Sequence, residues 1–86
     1  MTQIVNEEVK VLSCFDPTTG TVTPEKFRWQ NRLYRVKEVG LRHPERHGRI
    51  MHHIFSVSDG ATFFRLRHDP TTLHWTLEAF GDGLPD

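Results

Sequence analysis

The sequence predicts an all-β fold: a small antiparallel meander of five to six strands curling into an SH3-like barrel or roll. Three observations carry that prediction. Apolar residues recur at every second position in several short runs, the period of a strand with one buried face. Turn signals separate those runs: Asp16-Pro17-Thr18-Thr19-Gly20, Asn31-Arg32, Asp59-Gly60 and Asp69-Pro70-Thr71-Thr72. No segment carries a 3.6-residue apolar period. At 86 residues the chain is expected to be one domain, with residues 1–3 and 81–86 as flexible ends.

The first strand is expected at about 8–15, where Val9, Val11 and Phe15 share a face and Leu12 and Cys14 take the other. The second and third strands form a hairpin within Glu25–Val39. With Asn31-Arg32 as its turn, Trp29 lies opposite Tyr34 and Phe27 opposite Val36. The other face then sets Arg28 against Arg35 and Lys26 against Lys37. Like charges directly opposite one another cost stability unless an anion lies over them. Residues 40–48, GLRHPERHG, read as a mobile loop, because Pro44 cannot donate to a ladder and disfavours helix before it.

Asp59-Gly60 is the strongest hairpin signal in the chain. It aligns Phe55 with Phe64 and His53 with Leu66, and the following turn aligns Leu66 with Trp75 and Phe64 with Leu77. The two registers agree, placing Phe55, Val57, Phe64, Leu66, Trp75, Leu77 and Ala79 on one face. Strands at about 49–58, 62–68 and 73–80 follow. Ile54, Phe63 and Phe80 fall on the opposite face and make a candidate protein or homodimer interface.

Eleven Lys and Arg balance eleven Asp and Glu, so the chain as a whole is not a strongly basic nucleic-acid binder. The charge is nevertheless segregated. Between positions 26 and 49 stand Lys26, Arg28, Arg32, Arg35, Lys37, Arg42, Arg46 and Arg49, opposed only by Glu38 and Glu45. These eight cations are the candidate nucleic-acid-binding residues.

Little else points to chemistry. His43 and His47 have a ligand-like spacing, but Pro44 interrupts them and no cysteine pair accompanies them, so no metal is assigned. His53 reads as a partly buried, hydrogen-bonded side chain on the core face. Asp16, Asp59 and Asp69 are explained by turn geometry. Cys14, the single cysteine, reads as a small buried apolar residue. No phosphate-loop, dinucleotide or nucleophile-elbow motif occurs. The expectation is therefore a non-enzymatic module without catalytic residues or cofactors. One cysteine and the lack of an apolar leader or spanning run predict a cytoplasmic location away from the membrane.

Val9, Val11, Phe15, Asp16 and Gly20, then Pro24, Phe27, Trp29, Tyr34 and Val36, then His53, Phe55, Val57, Phe64, Leu66, Trp75 and Leu77 form a pattern over most of the chain. It resembles a family of short uncharacterised bacterial proteins. About the last forty residues are also similar in pattern to the C-terminal tail of inactive Y-family polymerase homologues of bacterial mutagenic repair. The resemblance implies a non-enzymatic module near DNA metabolism and adds no catalytic residue.

Overall fold

The computed structural model of the protein describes residues 2–82. Seven strands form one antiparallel sheet: β1 (Thr2–Asp16), β2 (Thr21–Trp29), β3 (Arg32–Arg35), β4 (Glu38–His47), β5 (Ile50–Ser58), β6 (Phe63–His68) and β7 (Trp75–Gly81). Their order across the sheet is β3-β2-β1-β7-β6-β5-β4. The all-β class holds, with more strands than the pattern predicted.

β1 organises the roll. Its first half pairs with β7, through Thr2↔Gly81 to Val9↔Trp75, and its second half pairs with β2, through Lys10↔Arg28 to Asp16↔Thr21. A register break between Ile4 and Glu7 contains Asn6 at φ +53°, a left-handed conformation that asparagine tolerates better than most residues. A second break follows Leu12. One strand thus belongs to two sub-sheets, β1-β2-β3 and β1-β7-β6-β5-β4, which fold over one another. Thr2, Gln3 and Gly81 are paired in β1 and β7, not free ends; positions 83–86 of the expected tail lie outside the described residues.

The core fills the fold between the sub-sheets. Phe27, Trp29, Phe55, Val57, Phe64, Leu66, Trp75 and Leu77 are buried there, and Val9, Val11, Tyr34, Val36 and Phe80 pack against them. Rings cross the gap: Phe27 meets Phe64 edge-on at 4.9 Å, Tyr34 meets Phe64 at 5.1 Å, and Trp29 meets Phe80 at 5.0 Å. Aromatic pairs at such separations add to the burial term.

The sheet rolls but does not close into a barrel. Its two edge strands, β3 and β4, are separated in the chain by only Val36 and Lys37. The Val36 amide donates to the Glu25 carbonyl of β2 at 2.9 Å, and the next amide, Lys37, donates to the Ser58 carbonyl of β5 at 2.8 Å. Adjacent N–H groups so tie the two sub-sheets together where the edges meet. Arg42 adds a clasp, donating from Nη2 to Thr23 Oγ1 at 2.9 Å while its guanidinium lies 5.1 Å over the Phe55 ring.

Several local expectations are corrected. Residues 40–48, expected as a loop, form most of β4; Pro44 pairs with His53 in a strand at the sheet edge, where a missing N–H is tolerated. The first hairpin turns at Gln30-Asn31, both at positive φ, so Phe27 faces Tyr34, Arg28 faces Leu33 and Lys26 faces Arg35. The expected Arg28–Arg35 and Lys26–Lys37 pairs do not form. The Asp59 turn spans four residues, closed by the Asp59 amide on the Thr62 carbonyl, which sets Phe55 opposite Leu66 and Val57 opposite Phe64. Each slip is by two positions, so every side chain keeps its face. A bulge near Glu78 does change faces: Ala79 pairs with Arg65 on the outer side, and Phe80 pairs with Phe64 on the core side.

Candidate nucleic-acid interface

Because Phe27 and Trp29 are buried, strand alternation sends Lys26 and Arg28 to the outer face of β1-β2-β3. The pairings assemble two adjacent rows there. One row is Lys10, Arg28 and Leu33; the other is Leu12, Lys26 and Arg35. Strand geometry confines all six to a patch of about 10 by 7 Å. Four cations run diagonally through the grid, with Leu33 and Leu12 at opposite corners. Both leucines are exposed, as are Lys10, Arg28 and Arg35, while Lys26 is half-buried. Among the described residues no carboxylate lies within 4.0 Å of any of these cations. Lys10 faces Arg28 and Lys26 faces Arg35, and each such like-charge pair costs roughly 0.2–1 kcal/mol.

The eight predicted cations do not share one surface. Lys26, Arg28 and Arg35 meet in the grid. Arg32 lies at the hairpin tip with its guanidinium 5.4 Å from the Tyr34 ring centre. Arg42 is committed to Thr23 and Phe55. Lys37 drapes its aliphatic stem and amine beside Gly60. Arg46 and Arg49 are exposed at the β4–β5 end. Sequence reasoning missed Lys10, which sits between Val9 and Val11, two residues already assigned inward; only the pairing of β1 with β2 brings it beside Arg28.

The outer face of β4-β5-β6-β7 is built on the opposite plan. Arg65 donates from Nε to Glu78 at 2.6 Å and from Nη2 to Glu45 at 3.0 Å, and Arg67 donates to the other Glu78 oxygen at 2.7 Å. Arg65 lies opposite Ser56 and Glu45 opposite His52, so their bridge passes over the intervening residue of β5, Ile54. Ile54 is fully buried and is not available as an interface residue. Phe80 is turned to the core against Trp29. Of the predicted apolar interface only Phe63 remains outward, lining a cleft of about 380 Å³ with Ile4 and Ala79.

His43, His47 and His52 join this second face. His47 Nε2 lies 2.9 Å from Glu45 and its ring stacks on His52 at 4.5 Å; His52 Nε2 lies 3.5 Å from Asp69. Partial burial raises the Glu45 pKa, but the His47 hydrogen bond and then the charge of Arg65 outweigh it and hold the carboxyl below its ordinary value. Asp69 is likewise lowered: desolvation opposes the shift, and the amides of Thr71 and Thr72 dominate it. His53 is exposed, contrary to expectation, and its ladder partner His68 is the buried one, stacked on Trp75 at 4.5 Å. Desolvation first, then the charge of His53, lowers the His68 pKa. Among the described residues no group of three or more His, Cys, Asp or Glu is placed to hold a metal ion. Cys14 is exposed on β1 instead of buried. No described helix is long and apolar enough to cross a membrane. No known protein family, no curated protein and no solved structure matches this chain.

Proposed function

We propose that this chain is a small non-enzymatic binding module that takes nucleic acid on the outer face of β1-β2-β3. The observation that carries the reading is the grid of four cations without carboxylate partners among the described residues, kept together despite two directly opposed like-charge pairs. A phosphate backbone over the diagonal would neutralise both pairs at once and release counterions. Phe27, Trp29 and Tyr34 face the core, so the grid itself offers phosphate contacts and no aromatic stacking platform. Affinity of this kind is largely independent of sequence. The implied setting is the cytoplasm, near DNA metabolism, as the resemblance to repair-associated tails also implies.

Fluorescence anisotropy with a labelled oligonucleotide tests the reading. For four phosphate contacts on a single strand the affinity should fall with salt at a log–log slope of about −3. The K26E/R28E/R35E variant should keep its circular dichroism spectrum and lose binding. Failure of the wild-type chain to bind at low salt would end the proposal.

A protein-docking or homodimer reading retains one specific observation, the cleft at Ile4 and Phe63. Sedimentation as a monomer at all concentrations, with no change on Phe63→Glu, would remove it.

A further inference from the structure

The chain builds one turn twice. In Asp16-Pro17-Thr18-Thr19-Gly20 the Thr18 amide donates to Asp16 Oδ1 at 2.9 Å and the Gly20 amide to the Asp16 carbonyl at 2.7 Å. In Asp69-Pro70-Thr71-Thr72-Leu73 the Thr71 amide donates to Asp69 Oδ1 at 2.8 Å and the Leu73 amide to the Asp69 carbonyl at 2.7 Å. The fifth residue is left-handed in both, at φ +70° for Gly20 and +68° for Leu73. Glycine adopts that conformation freely, whereas a leucine there is strained. Leu73 is also 69% exposed, so core packing does not account for its presence. A residue that costs conformational energy and gains little burial invites a search for what it touches in function.

Its surroundings give the answer. Leu73 shares a surface recess with Lys10, His74 and Glu8, the last facing His74 Nδ1 at 3.6 Å. Lys10 is the β1 end of the cationic diagonal, next to Arg28. Leu73 therefore stands at the rim of the cation grid, and with Leu12 and Leu33 it completes a border of exposed leucines around four cations. Phosphates occupy cations and have no use for leucines. A ligand that alternates charged and apolar groups at this spacing is a single-stranded nucleic acid, whose unstacked bases present apolar faces beside each phosphate. In a duplex those faces are stacked away.

We infer that Leu73 is a base-contacting residue, held out by its strained turn to pack against a nucleobase of a single strand whose phosphates lie on Lys10, Lys26, Arg28 and Arg35. The inference rests on the nucleic-acid reading above and specifies its substrate class.

The test compares Leu73→Gly, Leu73→Asn and Leu73→Met with the wild-type chain on a mixed-sequence single-stranded oligonucleotide and on the duplex of the same sequence. Leu73→Gly should melt higher than wild type, because strain is relieved, yet bind the single strand roughly five- to ten-fold more weakly, the loss expected from exposing part of a leucine contact. Leu73→Asn tolerates the left-handed backbone and should lose affinity similarly. Leu73→Met should stay within about two-fold of wild type, since its flexible side chain can make a similar apolar contact. The salt slope should not change in any of them, since leucine releases no counterion. Duplex affinity should be unchanged. If wild type, Leu73→Gly and Leu73→Asn bind the single strand equally, the inference is overturned while the cation-grid reading stands. If wild type binds neither oligonucleotide, the reading itself fails and the inference with it. If wild type sediments as a dimer that Leu73→Gly dissociates, Leu73 contacts a second copy and the inference is overturned.

Discussion

The two solvent faces of this protein solve the same problem differently. Both lie on the reverse of sheets whose inner sides form one aromatic core. On the outer face of β4-β5-β6-β7 Arg65 and Arg67 are matched: Arg65 holds Glu45 and Glu78, and Arg67 holds Glu78. On β1-β2-β3 Lys10, Lys26, Arg28 and Arg35 have no such partners among the described residues, and two pairs oppose one another across neighbouring strands. The matched face pairs these two arginines within the chain. The unmatched face keeps the cost of its opposed like charges, and the proposed nucleic acid would relieve it. A neutral total charge conceals this asymmetry, because Glu45 and Glu78 are spent on Arg65 and Arg67, and Glu8, the carboxylate nearest Lys10, faces His74.

The contrast is broken most severely by removing its central carboxylate. Glu78 is largely buried and accepts from both arginines, one on each oxygen, so Glu78→Gln loses one of these charge-assisted hydrogen bonds, weakens the other and leaves Arg67 without a counter-ion. Chemical denaturation should register a loss of about 2 kcal/mol. The same variant should bind oligonucleotides as wild type does.

Acid should act next, and away from the cation grid. The unfolded chain protonates His68 near its ordinary value of 6.5, whereas the folded chain, with the ring desolvated on Trp75, protonates it only at lower pH. The unfolded state then binds more protons, and stability falls as pH drops below about 6.5. Glu45 and Asp69 have lowered folded values, so the stability they supply is present above their ordinary 4.5 and 3.8 and is lost as pH falls through the folded ones. Thermal melts from pH 8 to 4 should show a progressive decline. His68→Gln should flatten its first portion, and NMR titration should place the His68 transition below that of a free histidine.

The smallest effect on stability belongs to the unmatched face. Lys26→Glu turns an opposed cation pair into an attractive one with Arg35 and should leave stability unchanged or raise it by about 0.5 kcal/mol. It should nonetheless reduce the salt slope of oligonucleotide binding by more than one contact's worth, about 0.7. A destabilised Lys26→Glu chain would erase the distinction between the faces.

Most of the core was legible in sequence because strand alternation is insensitive to slips of two. The first hairpin turns one residue early, and the Asp59 turn uses four residues instead of two, yet both changes preserve parity. Phe27, Trp29, Phe55, Phe64, Trp75 and Leu77 consequently fall where alternation puts them. The bulge at Glu78 defeats the same logic: one extra residue reverses Ala79 and Phe80, and nothing local announces it. Pro44 misled in another way, since a proline excluded from central strands is tolerated on β4 at the edge, and edge position is a property of the whole sheet. The candidate site was only partly legible. Lys26, Arg28 and Arg35 were visible as cations on a polar strand face, whereas Lys10 comes opposite Arg28 only because the register of the β1–β2 hairpin shifts by one after Leu12, a bulge that the Asp16–Gly20 turn does not announce. Ile54 had the right parity for an exposed face and is covered by a bridge between strands on either side of it.

By itself the sequence determined the chemistry of each strand face: turn residues mark most of the reversals, and a period of two sorts aromatic from charged. Those are local consequences of backbone geometry and need no knowledge of neighbours. Only the tertiary structure decided which faces meet. β1 bends at Asn6 and serves two sub-sheets, and the edges approach through adjacent amides at Val36 and Lys37. That arrangement gives Arg65 its carboxylates and gathers Lys10 with Lys26, Arg28 and Arg35 without any. Charge pairing acts over a few ångströms between residues distant in the chain, so the difference between a satisfied face and an unsatisfied one appears only once the sheet is rolled.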